Sequence, residues 1–200
     1  MNPKLISAAA AALLAMSGSA FAAMATATTD LNIRSGPGPQ FDVIGVIGAG
    51  KGVDIQGCIE GSKWCTVAAK AGQGWIYSDY LTSDFGGKQV VLTDRPGNSE
   101  IAVVTAPQGA AIDGTVTGAL VTGPGGAVGA AAEPPTTVRT YVTAHKTRPI
   151  YLDGETVVGA ALPDGVDIRE IPDYQYRYVC LNGQPVLVDP GSRRIVYVLR

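Results

Sequence analysis

Few side chains in this sequence can do chemistry, and their surroundings narrow what remains. The 200 residues contain one histidine, His145. Nucleophilic catalysis of the Ser/His/Asp or Cys/His kind would have to run through it. It sits in Ala144-His145-Lys146, beside a cation, and the chain has no Gly-x-Ser-x-Gly elbow. A surface histidine is the simpler reading. Metal sites want several His, Cys or clustered carboxylates, whereas the acids here are scattered singly and no Asp-x-Asp-x-Asp-Gly loop occurs. Two carboxylates distant in sequence can meet as a glycosidase pair, but nothing singles out such a pair. Ser35-Gly36-Pro37-Gly38-Pro39 is a turn, not a glycine loop that cradles phosphate. The expectation is a non-enzymatic protein with no catalytic residue, metal or cofactor.

The three cysteines carry the remaining chemistry. Cys58 and Cys65 bracket Ile59-Glu60-Gly61-Ser62-Lys63-Trp64, whose Gly-Ser turn can bring the two ends side by side. A disulfide is the leading reading and two buried thiols the alternative; a redox pair is disfavoured because the spacing is not C-x-x-C. Cys180 is left over, either as a small buried hydrophobe or as a partner for another chain.

Elements must position these groups, and the first is for export. Lys4 precedes an apolar run over residues 5–16, and Ala20-Phe21-Ala22 forms an A-x-A site. These are the parts of a signal peptide cleaved between Ala22 and Ala23. The run is too short to span a bilayer, which takes about 20 residues. With 17 acidic and 15 basic residues the net charge is −2, which disfavours nucleic acid as a partner. The 26 glycines and 13 prolines imply frequent turns and few long helices.

Residues 28–83 read as a unit of five short strands. Asp30-Leu31-Asn32-Ile33-Arg34 alternates, with Leu31 and Ile33 facing inward beside Ile76. Val43-Ile44-Gly45-Val46-Ile47, Val53-Asp54-Ile55-Gln56, Trp64 onward and Gly74-Trp75-Ile76-Tyr77 follow, with turns between. Such spacing suggests a small closed barrel. Residues 84–137 read as a Gly/Ala/Pro-rich linker, with β-like pieces around Val90 and over residues 101–105. Within it, Asp113, Pro124 and Gly125-Gly126 disfavour membrane insertion of residues 109–132. Because so small-residue a stretch has little to build a shared core, the units on either side are expected to be separable. Residues 138–200 read as antiparallel β structure, with alternation over residues 138–143 and 166–171. An Asn182-Gly183 hairpin turn sets up a three-stranded C-terminal meander.

Two resemblances rest on these residues. Thr29-Asp30-Leu31-Asn32-Ile33-Arg34-Ser35-Gly36-Pro37-Gly38, then Gly57-Cys58, Trp64-Cys65-Thr66-Val67 and Gly74-Trp75-Ile76-Tyr77-Ser78-Asp79-Tyr80-Leu81 are similar to a bacterial SH3 (SH3b) domain. That resemblance implies a small β-barrel serving as a targeting or binding module, often for cell-wall peptide. It also supports the Cys58–Cys65 bond, since many exported members carry such a pair across a hairpin. Val157-Val158-Gly159-Ala160, Tyr176-Arg177-Tyr178-Val179, Asn182-Gly183-Gln184-Pro185-Val186 and Arg193-Arg194-Ile195-Val196 resemble a C-terminal domain of unknown function from alphaproteobacterial exported proteins. That second resemblance implies a periplasmic setting and no known activity. Cys180 departs from its pattern, which usually has an aromatic or aliphatic residue there.

The fold class expected is therefore mainly β: an SH3-like barrel, a linker and a small antiparallel domain. The function expected is an exported, non-enzymatic protein whose barrel recognises peptide, by first choice cell-wall peptide. The alternatives are a structural or stress-related envelope protein acting through protein–protein contacts, or an accessory of a wall hydrolase acting in trans. Asn32, Arg34, Trp75, Tyr77 and Tyr80 are the candidate ligand-binding residues. Arg34 could pair with a peptide carboxylate through its planar fork of donors, and Tyr77 and Tyr80 are the candidates for exposed contacts.

Overall fold

The computed structural model describes residues 23–70, 72–97, 99–107, 118–120 and 131–200. Residues 1–22, where the signal peptide is expected, and most of the stretch weighed for membrane insertion lie outside the described residues.

The N-terminal unit is one nine-stranded sheet. Its strands are β1 Ala23–Ala27, β2 Leu31–Arg34, β3 Val43–Ile47, β4 Gly52–Ile59, β5 Trp64–Ala69, β6 Gly72–Tyr77, β7 Leu81–Asp84, β8 Gln89–Val91 and β9 Val103–Val104. The hydrogen-bonded order is β3-β2-β6-β5-β4-β1-β7-β8, with β9 parallel to β4. The five expected strands are all present. β1 was not anticipated: its small alternating residues bury Ala25 and Ala27 but carry no strong apolar signal. It lies between β4 and β7 and so belongs to the same sheet as the expected strands. Residues 84–104, expected as the start of the linker, extend the same sheet through β8 and β9.

Cys58 and Cys65 stand directly opposite each other on β4 and β5 and are joined by a disulfide. Gly57 lets β9 approach β4: a Cβ at this position would lie 2.5 Å from Val104 Cγ1 and 2.9 Å from the Ala102 carbonyl oxygen.

The C-terminal unit holds one helix, α1 Thr136–Ala144, and the meander β10 Arg177–Leu181, β11 Gln184–Asp189 and β12 Arg194–Val198. The meander was expected, and its Asn182-Gly183 turn takes positive φ at both residues (51° and 78°), as a two-residue hairpin of this kind requires. Residues 138–143, expected to alternate as a strand, are a correction: they lie within α1. Val138 and Val142 are four apart, and both are buried on one helix face against Tyr178, Leu187 and Val196. Pro135, immediately before the first turn, suits the start of a helix. Residues 166–171 pair only through a single bridge, Arg169 to Tyr178.

The two units share one core. Leu31, Ile33, Ile55, Val67 and Ile76 of the barrel join a continuous apolar cluster with Leu152, Val157, Val179, Leu181, Val186 and Ile195. The other face of the C-terminal sheet packs on α1. The expectation that little holds barrel to tail is corrected. Leu92, Ile101 and Leu120, from the stretch expected as a linker, belong to the same cluster.

Candidate functional site

Strand β2 shows how the seam is built. Period-two alternation sends Leu31 and Ile33 into the barrel and Asn32 and Arg34 to the opposite face. In an isolated barrel that second face would meet water. Here all four residues are buried, because the C-terminal unit covers the outer face.

Arg34 has no exposed surface, and neither does its partner Glu155. The pair is a fork on a fork: Arg34 Nε donates to Glu155 Oε2 and Nη2 donates to Oε1, each at 2.5 Å. Arg34 Nη1 donates to the carbonyls of Pro39 (2.9 Å), Phe41 (2.7 Å) and Asn182 (3.3 Å). Arg34 therefore ties down its own turn and spans the seam as well. Asn32 Nδ2 donates to Glu155 Oε1 at 3.0 Å and to Gln184 Oε1 at 2.8 Å.

The C-terminal side positions the carboxylate with equal care. The Thr156 amide donates to Glu155 Oε1 at 2.7 Å. Asn182, already needed for the hairpin turn, accepts from the Leu152 amide through Oδ1 and donates to the Gly154 carbonyl through Nδ2. Gly154 has φ +107°, and a Cβ there would press on Leu120 at 3.3 Å. The Asp153-Gly154-Glu155 corner is thus formed by close packing on one side and by Asn182 on the other.

An aromatic wall flanks this pair. Trp75 is the direct cross-strand neighbour of Arg34. Trp75 and Tyr77 share the outer face of β6 with Trp64 of β5, all three buried, while Ile76 points into the barrel core. The Trp64 and Tyr77 rings meet edge-on at 5.2 Å, and Tyr80 stands 6.2 Å from Tyr77. Burial pushes the Tyr77 hydroxyl far above its ordinary value of 10.0, and the nearby carboxylates of Asp153 and Asp79 push it further. Burial, with Asp79 and Glu155 adding to it, does the same for Tyr80. Both phenols therefore stay neutral at physiological pH, and the buried Tyr80 hydroxyl has no hydrogen-bond partner among the described residues. Lys63 lies 5.8 Å from the centre of the Tyr77 ring and pairs with Asp79 at 2.8 Å.

The five candidate ligand-binding residues are therefore brought together, but not as an open surface. Asn32, Arg34, Trp75 and Tyr77 are buried, and Tyr80 is half-buried. Arg34 does meet a carboxylate, as its chemistry suggested, but that carboxylate belongs to Glu155 of the same chain. Glu155 and Asn182 were missed as its partners, and Gln184 as a partner of Asn32. The Asn182-Gly183 turn was legible, but a lone glutamate in Asp153-Gly154-Glu155 carries no sign of being buried. Cys180 is half-buried and forms no disulfide; burial raises its thiol pKa, and Lys146 opposes that shift.

Among the described residues, no group of three or more His, Cys, Asp or Glu is placed to hold a metal ion. Among them too, no helix is long and apolar enough to cross a membrane. Compared with known proteins, residues 29–82 match the bacterial SH3 domain, and residues 141–200 match a domain of unknown function, DUF1236. No curated protein and no solved structure matches the chain. A bacterial SH3 domain is a binding module, and a structural disulfide points to a compartment outside the cytoplasm.

Proposed function

We propose that this is an exported, non-enzymatic envelope protein that works as one fused body through protein–protein contacts. In this reading the SH3 recognition face is spent internally, on the C-terminal domain. The observation that carries it is the buried Arg34–Glu155 pair, in which Arg34 finds all its partners within the chain. An external peptide carboxylate would have to displace Glu155 and open an apolar core as well. Export is supported by the N-terminal pattern and by the disulfide.

Two experiments test this. Fractionation of cells making the full chain should place it in the periplasm, and cross-linking there should join it to envelope proteins. Purified protein should not sediment saturably with sacculi stripped of protein. Saturable sedimentation would return the reading to cell-wall peptide, bound on a surface other than that of Asn32 and Arg34. Recovery of the unprocessed chain from the cytoplasm alone would remove the envelope reading.

A further inference from the structure

The C-terminal unit carries a second feature, remote from the seam. A cleft of about 720 Å³ opens between residues 145–148, just after α1, and residues 167–170. Tyr178 lies at its base, with its hydroxyl donating to the His145 carbonyl at 2.8 Å, and Tyr141 stacks on His145 at 4.1 Å. Lys146 and Arg148 stand on one wall and Arg169 on the other. All three are exposed, and none forms an ion pair with any described residue. Of the two acids lining the cleft, Glu170 is neutralised by Arg177 at 2.6 Å, which leaves Asp167.

An excess of unpaired positive charge in one cleft is unusual for a chain whose net charge is −2. The carbonyl end of α1 favours cations beside it, which accounts for Lys146. It does not account for Arg169, which comes from a different segment and faces that loop across the cleft. Two guanidinium groups and one ammonium lining one cleft from two segments suit a tetrahedral oxyanion, for which arginine supplies paired donors and lysine a point charge.

We propose that this cleft binds a phosphate group, carried either on a soluble ligand or on a lipid headgroup. The site goes beyond the contact function proposed above, and it stands or falls without it. The full chain is titrated with inorganic phosphate by calorimetry. It is also floated with phosphatidylcholine vesicles, with and without phosphatidylglycerol. Binding in at least one arm is expected, weakening as salt rises. The Lys146→Gln/Arg148→Gln/Arg169→Gln variant should lose tenfold or more, whereas Lys51→Gln/Lys88→Gln, which removes two exposed cations from the barrel, should bind as the parent does. Phosphate binding alone identifies a soluble ligand, and vesicle binding identifies a headgroup. Side-chain NMR signals of Arg148 and Arg169 in the unsubstituted chain should shift on titration, which keeps the test sharp if the triple variant folds poorly. No binding in either arm, equal loss in the barrel variant, or unshifted arginine signals would overturn the proposal.

Discussion

Replacing Glu155 by alanine is the most searching perturbation of the seam. The substitution removes both acceptors of the Arg34 fork and leaves a guanidinium with no solvent exposure to face an apolar core. It also strips an acceptor from Asn32 Nδ2 and from the Thr156 amide. Breaking a buried pair from one side costs about 3–5 kcal/mol, because an uncompensated charge stays behind. For a chain of this size each kcal/mol lowers the melting temperature by roughly 2–4 °C, so the expected fall is about 6–20 °C. Arg34→Met/Glu155→Met removes both charges and should melt well above Glu155→Ala, since apolar replacement of a whole buried pair is often neutral. Thermal melts followed by far-UV circular dichroism and by tryptophan fluorescence decide the matter. A Glu155→Ala protein melting within about 2 °C of the parent would refute the reasoning, being less than a 1 kcal/mol effect. So would a double variant no better than the single one.

Four further outcomes follow from the same geometry. Reducing Cys58–Cys65 should cost about 2–5 kcal/mol, read as a lower melting temperature in reductant; an unchanged melt would show that the bond does not constrain the barrel. Gly57→Ala should destabilise by about 1–3 kcal/mol through overpacking against Val104 and the Ala102 carbonyl, and wild-type urea stability would contradict the packing of β9 on β4. Tyr77 and Tyr80 have folded pKa values raised above the ordinary 10.0, so their contribution to stability is complete below pH 10 and is lost as pH rises beyond it. Burial also raises Tyr174 and Tyr178, so phenolate absorbance should lag for these four of the eight tyrosines, most for Tyr77 and Tyr80, and eight tyrosines titrating together in folded protein would contradict this. N-terminal sequencing of exported protein should begin at Ala23, and a mature chain retaining Lys4 would refute cleavage.

What could be read from the sequence followed from local physics. Alternation placed Leu31, Ile33 and Ile76 in the core, the Asn182-Gly183 pair announced its hairpin, and the Cys58–Cys65 spacing suited a bond across one. The helix over Thr136–Ala144 was misread because valine and threonine at alternate positions imitate a strand, while the Val138–Val142 spacing also satisfies a helix face. The seam was hidden for a different reason. Asn32 and Arg34 are polar on an alternating strand, the pattern of a solvated face, and only a tertiary partner 121 residues away turns that face inward. Burial of a charge is a property of the pair, and neither member announces it alone.

The central claim is that barrel and C-terminal domain are one cooperative body held through β2 and the Glu155 corner. Hydrogen exchange of the full chain, read by mass spectrometry, tests it most directly. Peptides covering β2 and residues 150–157 should open with the same free energy, and Glu155→Ala should lower protection in both by the same amount. Barrel peptides that keep their protection in Glu155→Ala while residues 150–157 lose theirs would contradict the account.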